Sequence, residues 1–433
     1  MRPSTRQRPT ATSRVLTRWR GMGAILAVSF YSLFFAAHLK FQNTPIYVRD
    51  GIIFGAETQS VFNDLSSDRT ANHDKISPLF PAFTILHQPI ARLCIHFWQT
   101  LGQDQSSARK HAVAMLTSIA GSLAVVMIYH TLLWTGTPTI RAILLAMCFG
   151  ASTCTWVLTP LPQTWTFAGL GVTALIAVTA RGSLARSTWF VLAATYAIST
   201  FVGSIIPCLL MALVRCAQDR DQTGSFALRP LIMVFAAITL SFSLANIQRM
   251  IYPTSTALPT SLASWCSFSK GWQSSRDTQA VVAREVFVSN VVAPAQVTTQ
   301  TDASRKKVVV GETQWAALDL RRGLTGAWLL ILALAFAGLV WRAQVEPFAL
   351  GVLAMLMWSI AALEWYGSRD TILLHACLWT GNVIVAVGLG LERAMDHWKL
   401  LSLPITFFIA IFLSALITRN WIFLQEIALM PVR

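Results

Sequence analysis

The chain has 433 residues, 54% of them hydrophobic and only 12% charged, with a mean hydropathy of +0.55. A soluble chain of this size would carry about 25% Asp, Glu, Lys and Arg, so composition excludes soluble domains, and modest Gly, Pro and Cys exclude a collagen, a disordered chain or a disulfide scaffold. The net charge of +15 sits largely in the N-terminal tail and in short loops between apolar runs, which is the pattern of a polytopic membrane protein with its basic loops in the cytoplasm, and no nucleic acid partner is expected.

Residues 1–21 hold six Arg and no acid, among Pro, Ser and Thr, and read as a basic cytoplasmic tail. Met22 to Leu39 is an uncharged apolar run just long enough to span. The small residues Ala36-Ala37 would also suit a cleaved signal peptide, against which stand the long tail before the run and the spans after it. Further spans are expected at about 112–134, 141–158, 164–180, 229–247, 324–341, 347–364, 371–391 and 401–424. The stretch 187–214 is long for one pass and short for two. Basic residues flank both of its ends, so it should go in and come back, broken near Gly203 and Pro207 into two half-helices. The segment 79–99 is apolar but interrupted by Pro81, His87, Pro89 and Arg92, and reads as an interfacial helix.

The expected fold is an all-α polytopic membrane protein with about 10–11 membrane segments, N-terminus in the cytoplasm and C-terminus outside. It divides into the tail 1–21, an N-terminal membrane module 22–247 with an acidic outer loop 40–111, a large outer loop 248–323 that roofs a cavity with the first loop, and a C-terminal membrane module 324–433. Arg342, Arg393 and Lys399 fall inside; Arg321 and Arg322 flank a span on the other side and run against the scheme. The seven Cys show no metal spacing. Cys94 and Cys266 both fall outside the cytoplasm, which leaves a disulfide between them open.

The spans carry few ionisable residues: His130, His375 and Arg419, with Glu364 and Asp370 at helix ends. Ion-coupled transporters place such residues at mid-membrane, which lowers that reading. Acid gathers instead after the first span, where residues 41–78 hold Asp50, Glu57, Asp64, Asp68 and Asp74, five of the chain's 19 acids, beside Arg49, His73 and Lys75. A solvated loop would have a similar composition. Asp50, however, follows the first helix by only about ten residues, close enough to the bilayer to act as a general base toward an acceptor hydroxyl. Arg49, His73 and Lys75 could neutralise a phosphate leaving group. Asp64 and Asp68 could offer oxygen ligands to a divalent metal, which no motif requires.

The order of basic tail, first span, acidic outer loop and the Ser77-Pro78-Leu79-Phe80 segment before an interfacial helix resembles the GT-C integral-membrane glycosyltransferases. Among them it is similar to bacterial relatives of the protein O-mannosyltransferase and lipid A aminoarabinose transferase families. Leu161-Pro162-Gln163-Thr164-Trp165, the stretch Arg284 to Pro294, and Asp370 to Trp379 with His375 resemble further segments of these proteins. Ser77 stands where the family has His, Gln163 where it has Glu, and Asp50 is followed by Gly51 rather than by a second acid. The resemblance implies a polyprenyl-phosphate-linked sugar as donor, a glycan, lipid or protein acceptor in the cell envelope, and a site at the outer face of a bacterial inner membrane. Asp50 would then be catalytic, with Arg49, His73, Lys75 and His375 binding substrate; on an apolar helix His375 is more often a hydrogen-bonded packing residue. No cofactor is required. A flippase or transporter of a lipid-linked substrate and a non-catalytic membrane subunit are the alternatives.

Overall fold

In the computed structural model the described residues are 13–48, 50, 53, 56–67, 79–182, 187–223, 229–253, 255, 276–293, 298–301, 307–310, 323–366 and 372–429. Almost all are helical. Six helices are long and apolar enough to cross a membrane, within Gly21–Phe41, Gln105–Trp134, Arg229–Ile251, Leu324–Ala343, Pro347–Glu364 and Lys399–Ala428. The chain is an integral membrane protein.

Helix α1 (Ser13–Phe41) leads through the single turn α2 (Pro45–Val48) to α3 (Thr58–Ser66), and α4 (Phe83–Thr100) leads to α5 (Gln105–Trp134). Helices α1 and α5 lie antiparallel, with Gly23 beside His130 at one end and Phe35 beside His111 toward the other. Asp104 starts α5 by accepting hydrogen bonds from the Ser106 and Ser107 amides at 2.9 and 3.0 Å.

Helix α4 presents three stripes, as the interrupted apolar pattern predicts. Thr84, His87, Gln88, Ala91, Cys94 and Ile95 are buried against the protein. Ile90, Leu93, Phe97 and, just past the end, Leu101 are exposed apolar residues at helical spacing. Arg92, His96 and Gln99 are exposed polar residues between them. A buried stripe, an exposed apolar stripe and an exposed polar stripe are the pattern that suits a helix to a membrane surface. Cys94 packs as a buried thiol against Ala108 and Ala112, and Cys266 lies outside the described residues.

After α5 come α6 (Thr139–Gly150), α7 (Thr153–Leu158), α8 (Trp165–Ala180), α9 (Ser187–Thr200), α10 (Ile205–Thr223) and α11 (Arg229–Ile251). The 187–214 stretch does turn back on itself. Cys208 Sγ lies 3.9 Å from the Ala194 carbonyl, and Arg215 donates to the Gly182 carbonyl at 3.3 Å, pairings that only antiparallel helices allow. The break falls at Phe201, which is extended, and the short 3-10 turn Val202–Ser204. Pro207 is the third residue of α10, where it has no intrahelical bond to lose, so it is not part of the break.

One expected span is interrupted. Residues 141–158 form not one helix but α6 and α7, separated at Ala151 and Ser152. The loop at 248–323 supplies the reason. After α12 (Arg276–Arg284) and a π-turn at Glu285–Ser289, residues 290–293 insert beside the break. The first two amides of α7, Thr153 and Cys154, which no helical carbonyl can satisfy, donate to the carbonyls of Val291 and Asn290 at 3.1 and 3.0 Å. This part of the loop enters the helix bundle rather than roofing it; Cys266, Arg321 and Arg322 lie outside the described residues. Farther on, β1 (Thr298–Thr301) and β2 (Lys307–Val310) pair antiparallel. This β-branched ribbon departs from the wholly helical expectation.

The C-terminal part comprises α13 (Leu324–Ala343), α14 (Pro347–Tyr366), α15 (Ile372–His397) and α16 (Ser402–Ala428). Asn420 of α16 closes the interrupted helix: its Nδ2 donates to the Ala151 and Val291 carbonyls at 2.7 and 2.9 Å, and its Oδ1 accepts from the Ala293 amide at 3.0 Å. Helices α13 and α15 meet backbone to backbone. A Cβ on Gly390 would stand 1.7 Å from the Ala335 carbonyl oxygen, and one on Gly338 2.1 Å from the Gly390 carbonyl oxygen. Close approach of small residues is how membrane helices gain packing when lipid gives no hydrophobic drive. Gly390→Ala should therefore cost about 1–3 kcal/mol, read as a lowered thermal midpoint of the purified protein. An unchanged midpoint would show that the helices separate freely.

The bundle has two distinct ends. Arg141, Arg181, Arg215, Arg342 and Arg393 cluster at one, through contacts with Glu392, Trp134, Gly182, Thr135 and Trp341 respectively. The other end carries α2–α4 and the described parts of the 248–323 loop. They are called here the basic end and the loop end.

Candidate active site

At the loop end, Asp50 caps α3 from outside the helix. Its Oδ1 accepts from the amides of Gln59 and Ser60 at 2.7 and 3.0 Å, and its Oδ2 accepts from the Ser60 hydroxyl at 2.6 Å. The first turn of a helix exposes amides and partial positive charge, so an anion there is favourable. Because Asp50 fills the role, Glu57 at the cap position makes no side-chain cap bond. The Glu57 carboxyl is held above the usual carboxylate range, first by burial and then by the negative charges of Asp50 and Asp64. Glu57 is itself exposed, so solvent weakens the effect of burial and of the neighbouring charges without changing its direction. Asp64, two turns along, is buried.

The acidic turn is fastened to the bundle. Thr58 donates to the Ile46 carbonyl at 2.9 Å, and Tyr47 donates to the Lys110 carbonyl at 3.2 Å. The Tyr47 ring packs edge-on against His38 of α1 at 5.1 Å and Phe62 of α3 at 5.6 Å. These contacts fix the position of the carboxylates relative to the ends of α1 and α5.

At the same end of the bundle, four segments far apart in the chain converge. The Leu79 carbonyl accepts from Val202, and Ala82 donates to the Ser199 carbonyl, at 2.8 and 3.1 Å, which seats the Leu79-Phe80 segment on the turn between α9 and α10. Phe80 meets Trp165 edge-on at 5.2 Å, and Trp165 meets His375 in the first turn of α15 at 4.4 Å. Gln163, buried, donates to the Leu158 carbonyl at 2.8 Å and to Thr166 at 3.2 Å, so it locks the turn that presents Trp165. A cavity of about 30 Å³, lined by Thr155, Thr159, Trp165 and Thr166 among others, adjoins it. That volume holds water rather than a larger ligand. On the far side of α15, Asn290 donates to Thr380 at 3.3 Å.

Of the residues singled out in the sequence, Asp50 is exposed at the α3 cap and His375 packs on Trp165. Arg49, His73, Lys75 and Asp68 lie outside the described residues. Among the described residues no three His, Cys, Asp or Glu side chains gather as metal ligands would. Two features of this end are not legible in the residues alone. Glu57 is one acid among five in its segment, and its perturbation depends on the fold of the loop. The second is the latch on α4: Gln88 donates to the Ser67 carbonyl at 3.1 Å and accepts from Tyr252, while Gln248 accepts from the Ile85 amide at 3.0 Å. It ties the end of α3 to the start of the second loop, and nothing in the local sequence announces it.

No family model matches the chain, nor does any curated protein. Among solved structures, the chain is similar to the Saccharomyces cerevisiae protein O-mannosyltransferase Pmt1–Pmt2 complex bound to the sugar donor, at 12% identity and a TM-score of 0.36, over 66% of this chain and 38% of that one. The chain thus spans well under half the length of that protein.

Proposed function

We propose that the chain is a membrane glycosyltransferase that moves a sugar from a polyprenyl-phosphate donor to a glycan, lipid or protein acceptor of the cell envelope. The observation that carries this reading is the pair of carboxylates at the start of α3: Asp50 pinned by three hydrogen bonds, and Glu57 with its proton affinity raised. A pinned carboxylate retains a lone pair on Oδ2 with which to orient an acceptor hydroxyl. A carboxylate whose proton affinity lies above the ordinary range is the better general base. Asp50 thus orients the hydroxyl and Glu57 takes its proton as the new glycosidic bond forms. The polyprenyl phosphate departs, its charge neutralised by Arg49, His73 and Lys75, with the prenyl chain in the membrane. His375 borders the donor side through Trp165. With the basic end in the cytoplasm, as the distribution of Arg favours, this chemistry takes place at the opposite face of a bacterial inner membrane.

The test is mass spectrometry of lipids that co-purify with the protein and with Asp50→Asn. A polyprenyl phosphate or its sugar conjugate, enriched in the variant, is the expected result and would identify the sugar. Ordinary phospholipid alone in both samples would count against the donor site and favour a non-catalytic subunit. Transbilayer movement of intact donor lipid, equal in protein and variant, would favour a flippase.

A further inference from the structure

The arginines of the basic end differ in what occupies them. Arg141 is taken by Glu392, Ser402 and Thr406. Arg342 is taken by Glu346 and by the Leu389 and Thr135 carbonyls. Arg393 is not. Its guanidinium lies 4.6 Å over the ring of Trp341, and its Nε is buried with no hydrogen-bond acceptor among the described residues. An indole face attracts the cation but accepts none of its in-plane N–H groups, so the two terminal nitrogens, beyond the buried Nε, are left for an anion that can take parallel hydrogen bonds.

The surroundings specify which anion. Lys399, exposed in the turn that follows α15, is a further cation at this end of the bundle. The rings of Trp341, His397 and Trp398 pack edge-on in series at 5.3 and 5.4 Å, forming an aromatic rim at the ends of α13 and α15. The connection into α16 then turns its apolar side chains outward, with Leu400 93% and Leu403 79% exposed. Leucines turned outward at this end of a membrane helix bundle suit acyl chains lying beside a headgroup bound at the cations. We propose that this corner of the basic end binds an anionic phospholipid, its phosphate held by Arg393 and Lys399 and its chains lying against Leu400, Leu403 and Trp341. Basic corners between membrane helices on the cytoplasmic side are suited to such headgroups. Asp396, exposed one turn beyond Arg393, is the carboxylate that opposes the bound charge. A free phosphate would make no use of the apolar rim, so the occupant is the lipid. The site lies at the end of the bundle opposite to the carboxylate pair and does not depend on it.

Native mass spectrometry of the full-length protein in detergent, titrated with phosphatidylglycerol or phosphatidylcholine, tests this. Phosphatidylglycerol should be retained under activation that strips phosphatidylcholine. Each of Arg393→Ala and Lys399→Ala should weaken that retention about fivefold, the effect of about one surface charge, and Asp396→Asn should strengthen it. Should Arg393→Ala fail to give a monodisperse protein, Asp396→Asn and Lys399→Ala decide the matter. Equal retention of the two lipids, indifference to these substitutions, or displacement of phosphatidylglycerol by millimolar inorganic phosphate would each overturn the proposal.

Discussion

Glu57→Gln is expected to lower the rate of sugar transfer by about 10²–10⁴-fold, the range over which general bases contribute, while leaving the protein folded. The amide keeps the size of the side chain but cannot accept the acceptor's proton. The sign of the pH dependence follows from the environment. Burial and the charges of Asp50 and Asp64 raise the Glu57 carboxyl, so the base is lost as pH falls through that raised value. The acid limb of the rate profile should therefore lie above the ordinary glutamate value of about 4.3. Asp50→Asn removes one of the two like charges, so the residual activity of that variant should show its acid limb at lower pH. Stability moves the other way. A carboxylate with a raised folded-state value favours the fold when protonated and opposes it above that value. Glu57→Gln should thus be neutral or slightly stabilising at neutral pH. Loss of transfer without loss of stability would distinguish a base from a structural residue; unchanged transfer would remove Glu57 from the mechanism.

The second large effect is structural. Arg141→Ala should cost about 3–5 kcal/mol, the range for breaking a buried ion pair from one side. Arg141 donates to both oxygens of Glu392 at 2.6 Å and to Ser402 at 2.7 Å, joining α6, α15 and α16, and the two side chains are only 9% and 12% exposed. Removing the guanidinium leaves Glu392 in a poorly solvated site. Arg141→Lys should recover only part of the loss, because an ammonium cannot reproduce the paired geometry. Arg141→Met combined with Glu392→Leu should recover more, since no charge is then stranded. Thermal unfolding in detergent would check the order; a single variant as stable as the parent would show that the pair carries no net stability.

Much of the architecture could be read from residues alone. Uncharged runs of spanning length become helices because no water is present to satisfy their backbone. The 187–214 hairpin follows from Arg181 and Arg215 having to return to one side, and Gly182 and Arg215 do meet. The striped surface of α4 follows from spacing, with Ile90, Leu93 and Phe97 on one stripe and Arg92, His96 and Gln99 on another. These are local periodicities and charge counts, which the chain carries with it before it folds.

What the sequence by itself determined was the membrane class, the order of the helices, the hairpin and the concentration of acid after the first span. Only the tertiary structure decided that Asp50 caps α3, that Glu57 is the carboxyl with raised proton affinity, and that residues 141–158 break at Ala151 to receive residues 290–293 and Asn420. The physical reason is common to all three. A helix cap, an acid crowded by like charges and an unpaired amide are each settled by whichever group arrives from elsewhere. Asn420 reaches Ala151 across more than half the chain, a pairing no hydropathy pattern encodes.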